Sequence, residues 1–328
     1  MLQGKKVFVT GAGGFIGSHL VEELVKNNAD VTAMIRYGSS AHWGNMEFLP
    51  KDIKQEIRVV AGNIEAGDFM MHTLKGQDIV FHLAALIAIP YSYVAPRSYV
   101  RTNVEGTLNV MEAVRRLDIN RVVHTSTSEV YGTATYSPID EAHPLQGQSP
   151  YSASKIGADK IAESYYLSFA TPVVTLRPFN TYGPRQSARA FIPTVISQAL
   201  EQPTIRMGAL DPQRDMTFVR DTALGFIAAG TRPCIEGETI NLGVGHTSSI
   251  GSIAERILKL MNCDKPIEQD NTRIRPAKSE VLKLLSNNNK AQELMHWRPT
   301  VSLDDGLIET IEFVKNNLHL FKTNTYTI

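Results

Sequence analysis

The stretch VFVTGAGGFIGSHL, residues 7 to 20, joins a short β-branched run to a helical pattern through a loop with glycine at Gly11, Gly14 and Gly17. Glycines at this spacing allow a tight turn, close approach of the backbone to a pyrophosphate, and close packing of the helix on the strand. The amides at the helix N-terminus then bind the phosphates. The stretch therefore predicts a dinucleotide-binding strand, loop and helix.

Strand and helix patterns alternate after this loop. The sequence predicts strands at 6–10, 31–35, 57–61, 79–83, 121–124 and 173–177, and helices at 16–26, 102–117 and 151–169. Alternation of this kind is typical of a parallel sheet with helices on both faces, and strands that are apolar throughout fit burial on both sides. We expect an α/β fold with a Rossmann-like, doubly wound sheet.

The composition changes after Arg177, where RPFNTYGPRQSARAFIP is rich in proline, glycine and arginine. A strand pattern at 239–243 predicts that the chain returns to the sheet. We expect residues 1–179, with a returning segment near 217–246, to bind the dinucleotide. Residues 180–216 and 247–328 are expected to form a smaller substrate lobe.

Charge and composition exclude several classes of function. The 328 residues carry 33 basic and 33 acidic side chains, so the net charge favours neither nucleic acid nor a membrane surface as a partner. Two cysteines and nine scattered histidines have no metal-ligand spacing, and we predict no metal. No apolar run approaches the ~18 residues of a membrane span, and the start lacks a signal-peptide pattern. We expect a cytoplasmic protein.

Tyr151 and Lys155, in YSASK, are four residues apart and share one helix face. A free tyrosine has a pKa of about 10, too high for a base at neutral pH. A neighbouring ammonium and an oxidised nicotinamide would both favour the phenolate. The motif predicts an acid–base pair, and a solvated pair on an exposed face is the alternative.

Arg36 directly follows the second predicted strand, where a dinucleotide site for NAD commonly has an acid. A guanidinium matches the oxygens of a 2′-phosphate. This favours NADP over NAD, and stacking of Arg36 on the adenine is the alternative.

The whole pattern resembles the extended short-chain dehydrogenases/reductases that act on nucleotide sugars. The likeness includes TGAGGFIG, HLAA, TNVEGT, YSASK, RPFNTYGPR, RDMTFVRD and RIRPAKSE. It implies a tightly bound NAD(P), a sugar-nucleotide substrate and a homodimer paired through helices 102–117 and 151–169. It places the cofactor against Gly11, Gly14, Phe15, Ile16, Gly17, Arg36, Asn63, Ile64, Leu83, Ala84, Ala85, Thr125, Tyr151, Lys155 and Pro178, and the substrate against Asn180, Arg185 (with Arg189 as the alternative), Arg214 and Arg275.

The resemblance also implies a catalytic role for the stretch HTSTSEVYG, residues 124 to 132. It implies a catalytic set of Thr127, Ser128, Glu129, Tyr151 and Lys155. Simple 4-epimerases of this family usually carry a small apolar residue at the position of Glu129, whereas 4,6-dehydratases need an acid–base group there. GDP-mannose dehydratases have a similar Thr-Ser-Glu, while dTDP-glucose enzymes have Asp-Glu.

Longer stretches favour one reaction. RYGSSAHWGN, HLAALIAIPYSYVAP and HPLQGQSPYSASKIGADKIAES resemble 4,6-dehydratases of legionaminic acid biosynthesis, which act on nucleotide-linked N-acetylglucosamine. The expected reaction is dehydration of a UDP- or GDP-linked N-acetylglucosamine to the 4-keto-6-deoxy sugar. A UDP-glucuronate-type decarboxylase, which can also carry TSEVYG, and a 4-epimerase are the alternatives. A non-catalytic dinucleotide-binding protein is a further one.

Overall fold

The computed structural model describes residues 2–270, 273 and 281–321. In chain order its strands are β1 (Lys6–Thr10), β2 (Asp30–Arg36), β3 (Ile57–Gly62), β4 (Ile79–His82), β5 (Arg121–Thr125), β6 (Val173–Pro178), β7 (Asn180–Tyr182), β8 (Ile205–Met207), β9 (Gln213–Arg214), β10 (Met216–Phe218), β11 (Thr239–Leu242), β12 (Ser248–Ser249), β13 (Ile267–Gln269) and β14 (Lys283–Leu284). Its α-helices are α1 (Phe15–Lys26), α2 (Lys51–Gln55), α3 (Gly67–Thr73), α4 (Ile89–Val94), α5 (Pro96–Tyr99), α6 (Gly106–Arg116), α7 (Pro150–Phe169), α8 (Phe191–Glu201), α9 (Val219–Thr231), α10 (Ile250–Leu260), α11 (Asn289–Met295) and α12 (Leu303–Asn316).

Seven of the strands form one parallel sheet in the order β11, β6, β5, β4, β1, β2, β3. The order reverses direction between β1 and β4, where ligands bind in doubly wound sheets. The expected α/β fold is confirmed, and the pattern at 239–243 is a strand that pairs with β6. The parallel arrangement brings the carboxyl ends of β1, β4, β5 and β6 to one edge.

Alternating side chains of β1 enter two different cores, as the two-residue repeat of a strand requires. Val7 and Val9 pack with Leu20 of α1 and Phe226 of α9 on one face of the sheet. Phe8 packs on the other face with residues of α6 and α7, including Val110 and Ala162. Burial on both faces explains why the strands are apolar throughout.

A further core lies outside the sheet. It gathers apolar side chains of α8, α10 and α12, among them Ile196, Ile257 and Ile311, around the short strands β8 and β10. This region falls within the predicted substrate lobe, whose boundaries stay a prediction. No helix in the described ranges is both long enough and apolar enough to cross a membrane.

The helix expected at 102–117 differs at its start. Residues Val100–Glu105 form a π-helical turn that continues into α6. The short helices α4 and α5 precede it and were missed by the sequence patterns. Their apolar residues, such as Ile89 and Tyr99, are buried singly and give no long periodic signal.

Gly17 tests the packing of α1 on β1. A Cβ atom at this position would lie 2.2 Å from the carbonyl oxygen of Gly11 and 3.0 Å from Cα of Ala12, both of them backbone atoms that cannot rotate away. We expect Gly17→Ala to lower the free energy of unfolding by about 1–3 kcal/mol, the usual cost of overpacking. Thermal and urea denaturation measure it.

Gly38→Ala is the matched control, because a Cβ atom there would have no neighbour within 4 Å. It should change the free energy of unfolding by no more than about 0.5 kcal/mol. Equal stability of the two variants would contradict the packing described for Gly17.

Candidate active site

Thr10 ties the ends of β1 and β4 together at the carboxyl edge of the sheet. Its Oγ1 accepts hydrogen bonds from the amides of Leu83 and Ala84, both at 3.1 Å, and lies 2.9 Å from Nδ1 of His82. Gly11 follows with φ of +69°, and a Cβ atom there would lie 2.7 Å from the Ala84 nitrogen. The predicted cofactor residues of the two loops therefore lie in direct contact.

The first turn of α1 is arranged to receive an anion. The helix begins after Gly14 with no capping side chain and no acidic residue in its first turn, and it starts with Phe15 and Ile16. Its first amides thus have no intrahelical acceptor and carry the positive end of the helix dipole. These residues fit the pyrophosphate of a dinucleotide.

The neighbouring strand ends supply the predicted adenosine side of the site. Arg36 ends β2 in register with Gly62 of β3, and Asn63 and Ile64 follow directly. The Arg36 side chain is exposed. Within the described ranges no hydrogen bond or ion pair engages its guanidinium, which leaves that group available to a ligand.

The helix α7 carries the predicted acid–base pair on its buried face. Ser149 and Ser152 form a capping box and Pro150 occupies the first turn, so the helix start is specified locally. Tyr151 is 7% exposed and Lys155 4% exposed. The alternative of a solvated pair on an exposed helix face is therefore wrong.

Lys155 connects α7 to the end of β5. Its Nζ donates a 2.6 Å hydrogen bond to the carbonyl oxygen of Thr125. Burial lowers the pKa of the Lys155 ammonium to about 8, and the carboxylate of Asp159 opposes this shift. The hydroxyl of Thr125 is buried and has no hydrogen-bond partner in the described part of the chain. An acceptor or donor from a bound molecule would satisfy it.

The Thr127–Glu129 segment faces Tyr151. Thr127 caps a 3-10 turn at Ser128–Tyr131, and its Oγ1 accepts a hydrogen bond from the Glu129 amide at 3.2 Å. Burial raises the pKa of the Tyr151 phenol, a hydrogen bond with the Thr127 hydroxyl lowers it, and the charge of Glu129 raises it further. Ser128 is buried beside them. The five predicted catalytic residues therefore belong to two adjoining segments.

The pKa of Tyr151 also depends on burial, which the sequence-based argument did not include. That argument named a neighbouring ammonium and an oxidised nicotinamide as the groups that favour the phenolate, whereas burial within the protein itself favours the neutral phenol. A cationic nicotinamide next to the phenol would act in the opposite direction. Deprotonation of Tyr151 therefore depends on the bound cofactor as well as on Lys155.

Asn103 is a site residue that the sequence analysis did not single out. It lies on the π-helical turn, where its side chain accepts from the Leu86 amide at 2.8 Å and donates to the Leu86 carbonyl at 3.0 Å and to Ser154 Oγ at 2.9 Å. It thus joins the segment after β4 to α7. An asparagine in TNVEGT, on the helix face that continues with Val110 and Val114, is the signal that could have identified it.

The predicted substrate residues Asn180 and Arg214 lie on the short strands beside the sheet. Asn180 begins β7, directly after Pro178 and Phe179, and its Oδ1 is buried without a hydrogen-bond partner in the described ranges. Arg214 is buried, and its Nη1 donates to the Gln213 carbonyl at 3.0 Å. Their contacts with a substrate stay predictions.

The other predicted arginines are placed differently. The guanidinium of Arg185 lies 2.6 Å from Oε2 of Glu22 on α1, so this side chain already joins the loop after β7 to the cofactor-binding helix. Arg189 is exposed and reaches Ser187 Oγ at 3.4 Å. Arg275 lies outside the described residues.

Comparison with known proteins identifies many relatives of the whole chain. Residues 8–310 match the family described as GDP-mannose 4,6 dehydratase. The chain is 31% identical over 318 residues to a Bacillus subtilis (strain 168) protein named as an uncharacterized UDP-glucose epimerase, covering 95% of this chain and 98% of that protein.

Two similar solved structures come from enzymes with different reactions, one a 4,6-dehydratase and the other a 4-epimerase. A dTDP-glucose 4,6-dehydratase from Streptomyces venezuelae, with NAD and TYD bound, has a TM-score of 0.87 and 28% identity over 96% of this chain and 98% of its own. A UDP-N-acetylglucosamine 4-epimerase from Methanobrevibacter ruminantium M1, in complex with UDP-N-acetylmuramic acid, has a TM-score of 0.87 and 28% identity over 96% and 99%.

Asn103→Ala tests the link between the segment after β4 and α7. It should leave the partly buried Leu86 amide and carbonyl without their side-chain partner and lower the free energy of unfolding by about 1–3 kcal/mol. Urea denaturation measures the change. Asn109→Ala, on α6, removes only a 3.0 Å hydrogen bond to the Ile64 carbonyl and should cost about 1 kcal/mol or less. A larger loss in Asn109→Ala than in Asn103→Ala would contradict the role given to Asn103.

Proposed function

The chain belongs to the extended short-chain dehydrogenase/reductase family of nucleotide-sugar dehydratases, and from this we propose that it is an NAD(P)-dependent nucleotide-sugar 4,6-dehydratase. The family contains dehydratases and epimerases that share NAD dependence and sugar-nucleotide substrates. The proposal therefore concerns which reaction this site performs. Glu129, in the turn after β5 whose charge acts on the Tyr151 phenol, is the observation that carries it.

The proposed reaction gives each group of the site a defined role. Tyr151 takes the proton of the hydroxyl on carbon 4 of the sugar, and Lys155 holds the cofactor and favours the phenolate. NAD(P), held by the glycine loop and Lys155, would supply the oxidant for carbon 4 and the hydride for carbon 6, so no external oxidant would be consumed. Once carbon 4 is a ketone, the hydrogen on carbon 5 is acidic. Glu129 removes it as a proton and gives a proton to the hydroxyl of carbon 6, which leaves as water; carbon 5 takes up a proton from solvent when the hydride reaches carbon 6.

Glu129 separates this proposal from simple epimerisation. Because decarboxylases can also carry TSEVYG, the choice of a dehydratase over a decarboxylase is supported by the longer stretches that resemble 4,6-dehydratases. A 4-epimerase needs no proton transfer at carbon 5, and a carboxylate beside Tyr151 would only oppose formation of the phenolate. A decarboxylase substrate already carries the leaving carboxylate on carbon 6. From the resemblance noted in the sequence, we propose a UDP- or GDP-linked N-acetylglucosamine as the substrate.

Incubation with a panel of UDP- and GDP-linked sugars, read by mass spectrometry, tests the reaction class. A 4,6-dehydratase gives a product lighter by one water. Loss of carbon dioxide from UDP-glucuronate would establish the decarboxylase instead. Formation of an isomer at unchanged mass would establish the epimerase. Tight binding of a dinucleotide with no turnover of any sugar would favour the non-catalytic alternative.

Glu129→Gln should separate oxidation from elimination. The amide keeps the size of the side chain but cannot take a proton, so elimination should slow by roughly 100-fold or more. Oxidation of carbon 4 should continue, and the absorbance of reduced nicotinamide should appear and persist. Tyr151→Phe is the control, because it removes the base for oxidation and should give no reduced nicotinamide. Full turnover by Glu129→Gln would contradict the proposed role.

The finer choice of cofactor rests on Arg36. We propose NADP, because an exposed guanidinium at the end of β2 suits a 2′-phosphate. The solved dehydratase from Streptomyces venezuelae holds NAD. Mass analysis of the dinucleotide released from the purified protein should find NADP, and Arg36→Ala should shift the bound population toward NAD. Recovery of NAD alone from the wild-type protein would contradict this choice.

The homodimer, the cytoplasmic location and a role in legionaminic acid or other polysaccharide biosynthesis stay predictions. The dimer proposal is supported by apolar side chains on the outer faces of α6 and α7: Leu108 and Leu167 are both exposed.

A further inference from the structure

A buried carboxylate lies behind the predicted acid–base pair. Asp159 is one helical turn beyond Lys155 on α7 and is 4% exposed. Its Oδ2 accepts a 2.7 Å hydrogen bond from Ser126 Oγ and a 3.2 Å hydrogen bond from Nη2 of Arg177. Its Oδ1 lies 3.1 Å from Nε2 of His124. Asp159 therefore contacts both β5 and β6 from α7.

Arg177 extends this cluster to the turn that carries Glu129. Its Nη1 donates a 3.0 Å hydrogen bond to the Tyr131 hydroxyl, and its guanidinium carbon lies 4.9 Å from the centre of the Tyr131 ring. The Tyr131 hydroxyl in turn donates to Oδ1 of Asn241 at 2.7 Å. Tyr131 is the last residue of the 3-10 turn Ser128–Tyr131. The carboxylate of Asp159, which lies on the helix of Lys155, is thus linked through Arg177 and Tyr131 to the turn that carries Glu129.

The charges around Lys155 come from every element packed against it. His82 on β4 and His124 on β5 are buried, and burial lowers the pKa of each, so both are neutral near pH 7. Arg177 on β6 is a cation, and Tyr151 on α7 is a neutral phenol in the protein itself. Asp159 is the anion that acts on Lys155. Arg177 therefore contacts this carboxylate directly, and Lys155 lies one helical turn from it among the buried residues of α7.

We propose that Asp159 is a positioning residue: it keeps the Lys155 ammonium charged and, through Arg177 and Tyr131, holds the turn of Glu129 against Tyr151. Neither effect requires contact between Asp159 and substrate or cofactor. The inference rests on the proposed role of Lys155 in cofactor binding, but its test does not require a sugar substrate.

The sign of the expected pH effect follows from the charge. A carboxylate stabilises the ammonium form of Lys155, so its removal lowers the pKa of that group. The ammonium would then be lost at a lower pH. Because the ammonium is the form that donates hydrogen bonds to the cofactor, affinity for NAD(P) should fall at a lower pH as well.

Asp159→Asn tests the proposal through the pH dependence of binding of added NAD⁺ and NADP⁺. The affinity of the wild-type protein should fall as the pH rises through the pKa of Lys155, about 8. In Asp159→Asn this midpoint should move to lower pH by about one unit or more, a tenfold change in the protonation equilibrium. An unchanged midpoint would overturn the proposal.

Two further variants separate charge from structure. Ser126→Ala removes one hydrogen bond to the same carboxylate and keeps its charge, so the midpoint should stay at the wild-type pH. A shift as large as that of Asp159→Asn would overturn the proposal. Asp159→Asn combined with Arg177→Gln removes both charges of the buried pair, which avoids an uncompensated guanidinium if the single variant does not fold. Its midpoint should fall by less than that of Asp159→Asn, because loss of the Arg177 cation favours the ammonium of Lys155, and a midpoint above that of the wild-type protein would overturn the proposal.

Failure of the proposed dehydratase reaction would appear separately. A wild-type protein that turns over no sugar nucleotide, yet shows the predicted shift in Asp159→Asn, would refute the reaction and support the role of Asp159. Turnover of a sugar nucleotide to the dehydrated product by the wild-type protein, with no shift of the binding midpoint in Asp159→Asn, would support the reaction and refute the role of Asp159.

Discussion

The hydrogen bond from the Lys155 ammonium to the Thr125 carbonyl fixes the geometry on which the site depends. It joins α7 to the carboxyl end of β5 at 2.6 Å, and it does so inside the protein, where the ammonium is costly to bury. The next residues of the chain form the turn with Glu129, and Tyr151 lies one helical turn before Lys155. A shift at this contact would separate the two catalytic segments.

In the same arrangement the negative charge of Glu129 opposes formation of the negatively charged phenolate of Tyr151. Glu129 raises the pKa of Tyr151, which hinders the first step of the proposed reaction, yet it supplies the base for the second. A site selected only to oxidise and reduce carbon 4 would gain nothing from this carboxylate. The cost is offset when cationic groups surround the phenol. The antagonism therefore favours a reaction with two proton transfers over simple epimerisation.

Much of the fold could be predicted from the sequence because its signals are local. The glycine loop, the apolar strands and the helical pattern at 151–169 each specify their own element, and the structure has them within a residue or two. Asn103 and Asp159 could not be assigned in this way. Their roles come from partners 17 to 51 residues distant for Asn103, and on β5 and β6 for Asp159. The pKa of Tyr151 likewise depends on burial, which YxxxK alone does not reveal.

The central claim is that Glu129 moves a proton at carbon 5, and isotope exchange during turnover measures this directly. The wild-type protein is incubated with UDP- or GDP-N-acetylglucosamine in deuterated water, and the product is examined by mass spectrometry and NMR. The account predicts a 4-keto-6-deoxy sugar with deuterium on carbon 5. Inertness toward both substrates with turnover of UDP-glucuronate, or an isomeric product that carries no deuterium, would contradict it.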